Sequence, residues 1–138
     1  MGDLASTVAS EFQRVYGRAA DFIVRAPGRV NLLGEHVDYN DGFVMPIAID
    51  RAAWLAVSAA ENSDTHIRAH DIGEDVTFRT SALEIKADTQ GRSLKNWARY
   101  AAGVAWSLSE SGLPVHGMRA VLSSDVPRGA GLSSSAAV

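Results

Sequence analysis

The spacing of apolar residues changes period several times along the chain, and this limits the fold more than any other feature. Leu4, Val8, Phe12 and Val15 recur at helical spacing, and Gly17 follows where a C′ glycine sits. The spacing predicts an amphipathic helix over 4–16. Phe22-Ile23-Val24 is short, apolar and β-prone, and Pro27-Gly28 is expected to stop it. Residues 43–49 and 52–59 read as two strands on either side of Asp50-Arg51. In the second, Ala53, Leu55 and Val57 share one face while Trp54, Ala56 and Ser58 share the other. Pro46 points to an edge position or a bulge in the first. Weaker strand patterns at 65–70 and 75–79 flank a turn at 71–74. Ser81-x-x-Glu84 fits a capping box opening a short helical turn. Leu94, Trp97, Ala101, Val104, Ala105 and Leu108 trace one face of a helix over about 93–110, ended by Gly112 and Pro114. A last strand covers 115–123, with Met118, Ala120 and Leu122 on one face. This order predicts an α+β domain, a mixed sheet with packed helices.

Composition removes several function classes. The chain has no cysteine, which excludes disulfides, thiol nucleophiles and thiolate metal sites. Thirteen Lys and Arg against sixteen Asp and Glu give a formal charge of −3, so no basic excess supports a nucleic-acid footprint. At 138 residues and 46% hydrophobic, one domain with a real core is expected. No apolar run approaches the ~20 residues of a membrane span. The start lacks a basic segment followed by an apolar one, so no signal peptide is read and the cytoplasm is the expected compartment. Gly2 with Ser6 is only a poor match to a myristoylation start.

Two segments carry chemistry. Between Arg25 and Pro46 stand Gly28, Gly34 and Gly42, with Arg29, Glu35, His36, Val37 and Asp38 among them. Broken alternation argues against a plain strand, and glycine permits positive φ and close approach of a ligand. Glu35, His36 and Asp38 place two carboxylates and an imidazole within four positions, a set able to hold several hydroxyls of a polyol. Arg29 is a permanent cation suited to a phosphate. From residues alone a self-paired polar loop stays open. A metal site from the same three is weaker, because near-consecutive ligands rarely converge tetrahedrally.

The second segment is Asp125-Val126-Pro127-Arg128-Gly129-Ala130-Gly131-Leu132-Ser133-Ser134-Ser135, a Gly-rich turn entering a helix. Backbone N–H groups and the dipole at such a helix start favour a phosphate, and a serine hydroxyl can ligate Mg²⁺. No Gly-Lys-Ser/Thr completes a Walker loop, and no third glycine completes a dinucleotide fingerprint. A capped helix after a flexible turn explains the same residues. The helix has about one and a half turns before Val138, too few to stand alone, so the sequence is expected to be the N-terminal part of a longer protein. His66, His70 and Asp71 read as surface groups, and His116 as packed or exposed at a strand start.

Taken together, the two segments resemble the galactokinases of the galacto-, homoserine, mevalonate and phosphomevalonate (GHMP) kinase superfamily. Gly28-Arg29-Val30-Asn31-Leu32-Leu33-Gly34-Glu35-His36-Val37-Asp38-Tyr39 is similar to the galactokinase signature, with Leu33 where isoleucine is commoner. Pro127-Arg128-Gly129-Ala130-Gly131-Leu132-Ser133-Ser134-Ser135-Ala136-Ala137 is similar to the superfamily's phosphate loop. The resemblance implies ATP-dependent phosphorylation of galactose at its C1 hydroxyl. It implies that Glu35, His36, Val37 and Asp38 bind the sugar, and that Arg29 lies by the reacting hydroxyl and the γ-phosphate. It implies that Gly129, Ala130, Gly131, Leu132, Ser133, Ser134 and Ser135 wrap the ATP phosphates, with Ser135 on Mg²⁺. Trp97 and Tyr100 match an aromatic segment near the nucleotide, with Trp97 at the adenine, although Trp97 also lies on the core face. The family's catalytic aspartate and the acidic Mg²⁺ partner fall beyond Val138, so this chain alone is expected to be inactive. A galactose and ATP sensor, or a kinase for N-acetylgalactosamine or arabinose, are the alternative expectations.

Overall fold

The structure is a computed structural model, and it describes residues 3–34, 40–127 and 137. Helix α1 spans Leu4–Tyr16, followed by strands β1 (Phe22–Leu33), β2 (Met45–Ala59), β3 (Asp64–Ala69) and β4 (Glu74–Arg79), helix α2 (Asn96–Glu110) and strand β5 (Met118–Ser124). The five strands form one sheet in the order β1-β2-β5-β3-β4. β3 runs antiparallel to β4, with Ile67 opposite Val76, and parallel to β5, with Ile67 opposite Ala120. The sheet is therefore mixed, and the domain is α+β as its periodicities predict.

The chain divides into two compact units, one of residues 1–24 and 54–123, the other of 25–53 and 124–138. The first unit holds the hydrophobic core, in two clusters on opposite sheet faces. Val8 and Phe12 of α1 are fully buried with Ala56 and Val121, and Tyr16, Ala20 and Trp54 pack around them. Ile67, Val76, Phe78 and Ala120 are buried with Leu94, Ala98 and Ala102, against Leu55, Val57, Met118 and Leu122. Successive residues of β2 and β5 alternate between the clusters, so period 2 alone sends α1 and α2 to opposite faces.

α1 shows how local sequence fixes an element. The Asp3 carboxylate caps the start by accepting the Ala5 N–H at 3.2 Å. Gly17 closes it at φ 70°, donating its N–H to the Gln13 carbonyl at 2.9 Å. Both bounds match the expectation.

Other expectations are corrected. β1 does not stop at Pro27-Gly28 but continues to Leu33. It lies at the end of the strand order, where the missing proline N–H breaks no inner ladder. β2 is one strand through Asp50-Arg51, not two. It lies between β1 and β5, so Pro46 is not on an edge strand; it stands one residue inside the start of an inner one, close to where proline is tolerated. α2 begins three residues later than expected; Leu94, Trp97, Ala101 and Ala105 pack on the core as expected, but the most buried positions are Ala98 and Ala102, and Val104 and Leu108 are exposed. Ser81 caps nothing; the 3-10 stretch Thr80–Ile85 starts from Arg79 and is kinked at Ala82. His116 is exposed and precedes the strand, which starts at Met118.

Candidate functional site

Arg29 sits on β1 between buried Gly28 and half-buried Val30, and its own side chain faces solvent. The strand period puts Arg25 on the same face. Arg25 donates to the Asp50 carbonyl at 3.2 Å, whereas the Arg29 guanidinium has no hydrogen-bond or ion-pair partner among the described residues. A guanidinium with no partner among the described residues can meet an anionic ligand bidentately. β1 is followed by Gly34 at φ 87°, a left-handed conformation that glycine adopts without strain. Glu35 follows it directly in the sequence. Glu35, His36, Val37 and Asp38 lie outside the described residues.

The second segment is described up to Pro127. At the end of β5 the Asp125 carboxylate accepts the Ala52 N–H at 2.8 Å and Arg51 Nη1 at 3.2 Å, while its own N–H donates to the Ala52 carbonyl at 3.3 Å. Partial burial opposes its ionisation, but these donors outweigh burial and hold the carboxyl below its usual range. Val126 is buried, and its N–H donates to Ser124 Oγ at 3.2 Å. The strand end that leads into the Gly-rich run is thus tied to β2. Sequence reasoning assigned Asp125 no role; no spacing relates it to residues 51 and 52. Gly129, Ala130, Gly131, Leu132, Ser133, Ser134 and Ser135 lie outside the described residues, and Ala137 is helical and buried.

Trp97, in the other unit, packs against the α2 core cluster. Its indole N–H donates to Glu74 at 2.7 Å, and Lys95 pairs with the same carboxylate at 3.1 Å. The Trp97 N–H, then Lys95, lower the Glu74 pKa. Tyr100 is half exposed.

His66 holds structure. Tyr16 Oη lies 2.6 Å from His66 Nδ1 and 3.1 Å from the carbonyls of His66 and Ala120. Burial pushes the Tyr16 hydroxyl up to about 12 and pulls His66 down, keeping the imidazole neutral. Among the described residues no group of His, Asp and Glu could hold a metal ion, and no helix is long and apolar enough to cross a membrane.

Comparison with known proteins sets these residues in a family. Residues 99–138 match the GHMP kinases N terminal domain, and residues 10–59 match the galactokinase galactose-binding signature. A mevalonate kinase from Methanococcus jannaschii shares the fold over 87% of this chain and 37% of its own, with a TM-score of 0.61 at 22% identity. A Lactococcus lactis galactokinase complexed with galactose superposes over 98% of this chain and 34% of its own, with a TM-score of 0.81 at 26% identity. A galactokinase from Streptomyces coelicolor is 44% identical over 140 residues, covering 100% of this chain and 35% of that protein. Fold and N-terminal match together set the chain among the N-terminal domains of GHMP kinases. Within that class, the chain belongs to the galactokinase family, and it spans about a third of the length of the relatives it matches.

Proposed function

We propose that this chain is the N-terminal portion of an ATP-dependent galactokinase, which transfers the γ-phosphoryl group of ATP to the C1 hydroxyl of galactose. The carrying observation is the galactose-binding signature over 10–59 in a chain 44% identical, along its whole length, to a galactokinase. In this reading Glu35, His36, Val37 and Asp38 hold the sugar, which fixes the attacking hydroxyl. That oxygen forms a bond to the γ-phosphorus as the bridge to ADP breaks, and its proton leaves to a base supplied from beyond Val138. Arg29 stabilises the charge on the transferring group; its exposed guanidinium, without a partner among the described residues, supports this role. The run from Gly129 to Ser135 cradles the phosphates through backbone N–H groups. Trp97 stands near the adenine.

A single serine hydroxyl suits Mg²⁺, which takes few protein ligands and is otherwise held by phosphate oxygens. Ser135 is the residue here that would hold it, and the ion would neutralise phosphate charge. A cytoplasmic location belongs to the same reading. The test is a chimera in which this chain replaces the matching third of the Streptomyces coelicolor relative, assayed for ADP release over a panel of monosaccharides. Galactose-dependent release is expected. ADP release only with N-acetylgalactosamine or arabinose would reassign the sugar, and saturable galactose and ATP binding with no release would make the chain a sensor.

A further inference from the structure

Between the 3-10 stretch Thr80–Ile85 and α2 lies a cavity of about 580 Å³, in the range that encloses small organic ligands. Leu83, Leu94 and Ala102 form a buried apolar lining. Two large apolar side chains of the wall remain uncovered, Ile85 at 65% and Trp106 at 48% exposure. Gly103 leaves the α2 wall open: a Cβ there would meet nothing within 4 Å.

The charged groups of the lining are Lys86, Arg99 and Glu84, a net single positive charge. Lys86 is fixed by its backbone, its N–H donating to the Leu83 carbonyl and its carbonyl accepting the Leu94 N–H, both at 3.1 Å. It is held at φ 54°, ψ 31°, a left-handed conformation that glycine would occupy without strain. The lysine kept in this strained place has no ion-pair partner among the described residues. Arg99 Nε donates to the Leu94 carbonyl at 3.1 Å, which orients its fork and leaves the terminal nitrogens for a planar carboxylate. A doubly charged anion would meet Glu84, whereas one negative charge matches the lining.

We propose that this cavity binds a small aromatic carboxylic acid, its ring against Trp106 and Ile85 and its carboxylate on Lys86 and Arg99. The site shares no residue with those assigned to sugar and nucleotide, and it does not depend on that assignment.

The test is an NMR titration of the ¹⁵N-labelled chain with 3-phenylpropionate. Saturable shifts are expected at the Trp106 indole N–H and the Lys86 and Gly103 amides, with the Trp54 and Trp97 indoles unmoved. The neutral 3-phenylpropan-1-ol should bind about tenfold more weakly, because its contacts to Lys86 and Arg99 are no longer charge-assisted on both sides. Lys86→Gly should lose a similar factor while its Tm rises, because glycine relieves the backbone strain as the charge disappears. Shifts that do not saturate, equal binding of the alcohol, or undiminished binding by Lys86→Gly would each overturn the proposal. So would a concentration-dependent dimer that shifts these signals without any probe, because a second copy would then fill the cavity.

Discussion

Arg29 and Gly117 show how two single residues act by opposite means. Arg29 is exposed and has no hydrogen-bond or ion-pair partner among the described residues, so its removal should leave the fold intact. In the chimeric kinase, Arg29→Ala should lower kcat by two or more orders of magnitude, about 3 kcal/mol of transition-state stabilisation, with little change in KM for galactose. Steady-state kinetics over both substrates reads this, and equal losses in kcat and sugar affinity would make Arg29 a plain binding group. Gly117 carries no chemistry, yet it is buried and has no room for a side chain. A Cβ there would lie 2.3 Å from the Asn62 carbonyl and 2.5 Å from that of Asp64. Its φ is not in the left-handed region, so the requirement is space. Gly117→Ala should destabilise the chain by about 1–3 kcal/mol through forced backbone movement, read as a lower urea midpoint at unchanged m-value.

At the scale of elements, α1 is held by its own caps and by one buried stripe. Phe12 and Val8 are both fully buried. Phe12→Ala removes the larger contact and should cost about 3–5 kcal/mol, visible in chemical denaturation. The helix end is also tied to the sheet through Tyr16 and His66. The His66 pKa is lowered mainly by burial, so the unfolded chain binds a proton more readily than the folded one. Stability from this site is therefore complete above the unfolded value, near pH 6.5, and falls as pH drops below it. Thermal melts at stepped pH should show this loss between pH 7 and 5, and His66→Gln should flatten it. A profile equally steep in the variant would move the effect elsewhere. Two of the strands mark where one-dimensional reading failed. Pro27-Gly28 and Asp50-Arg51 carry every local signal of a break, yet β1 and β2 run through them, because cross-strand hydrogen bonding fixes backbone that local preference leaves open.

Across the whole molecule, both motif segments matched the family, while the chain spans about a third of its relatives' length. The 138-residue chain by itself should therefore show no galactose-dependent ADP release under conditions where the chimera turns over; robust release would mean that a competent base lies within these residues. The sequence alone determined the helix of residues 4–16, the faces of β2 and β5, and the two motif segments. Each of these follows from near neighbours, through a repeat of 3.6 or 2 residues or a run of adjacent groups. Only the tertiary structure decided that Asp125 ties the end of β5 to Ala52, that α2 packs on Ala98 and Ala102 instead of Val104 and Leu108, and that Gly117 lies against the 62–64 backbone. Those contacts join residues dozens of positions apart or depend on which neighbour covers a helix face, and no local periodicity encodes either.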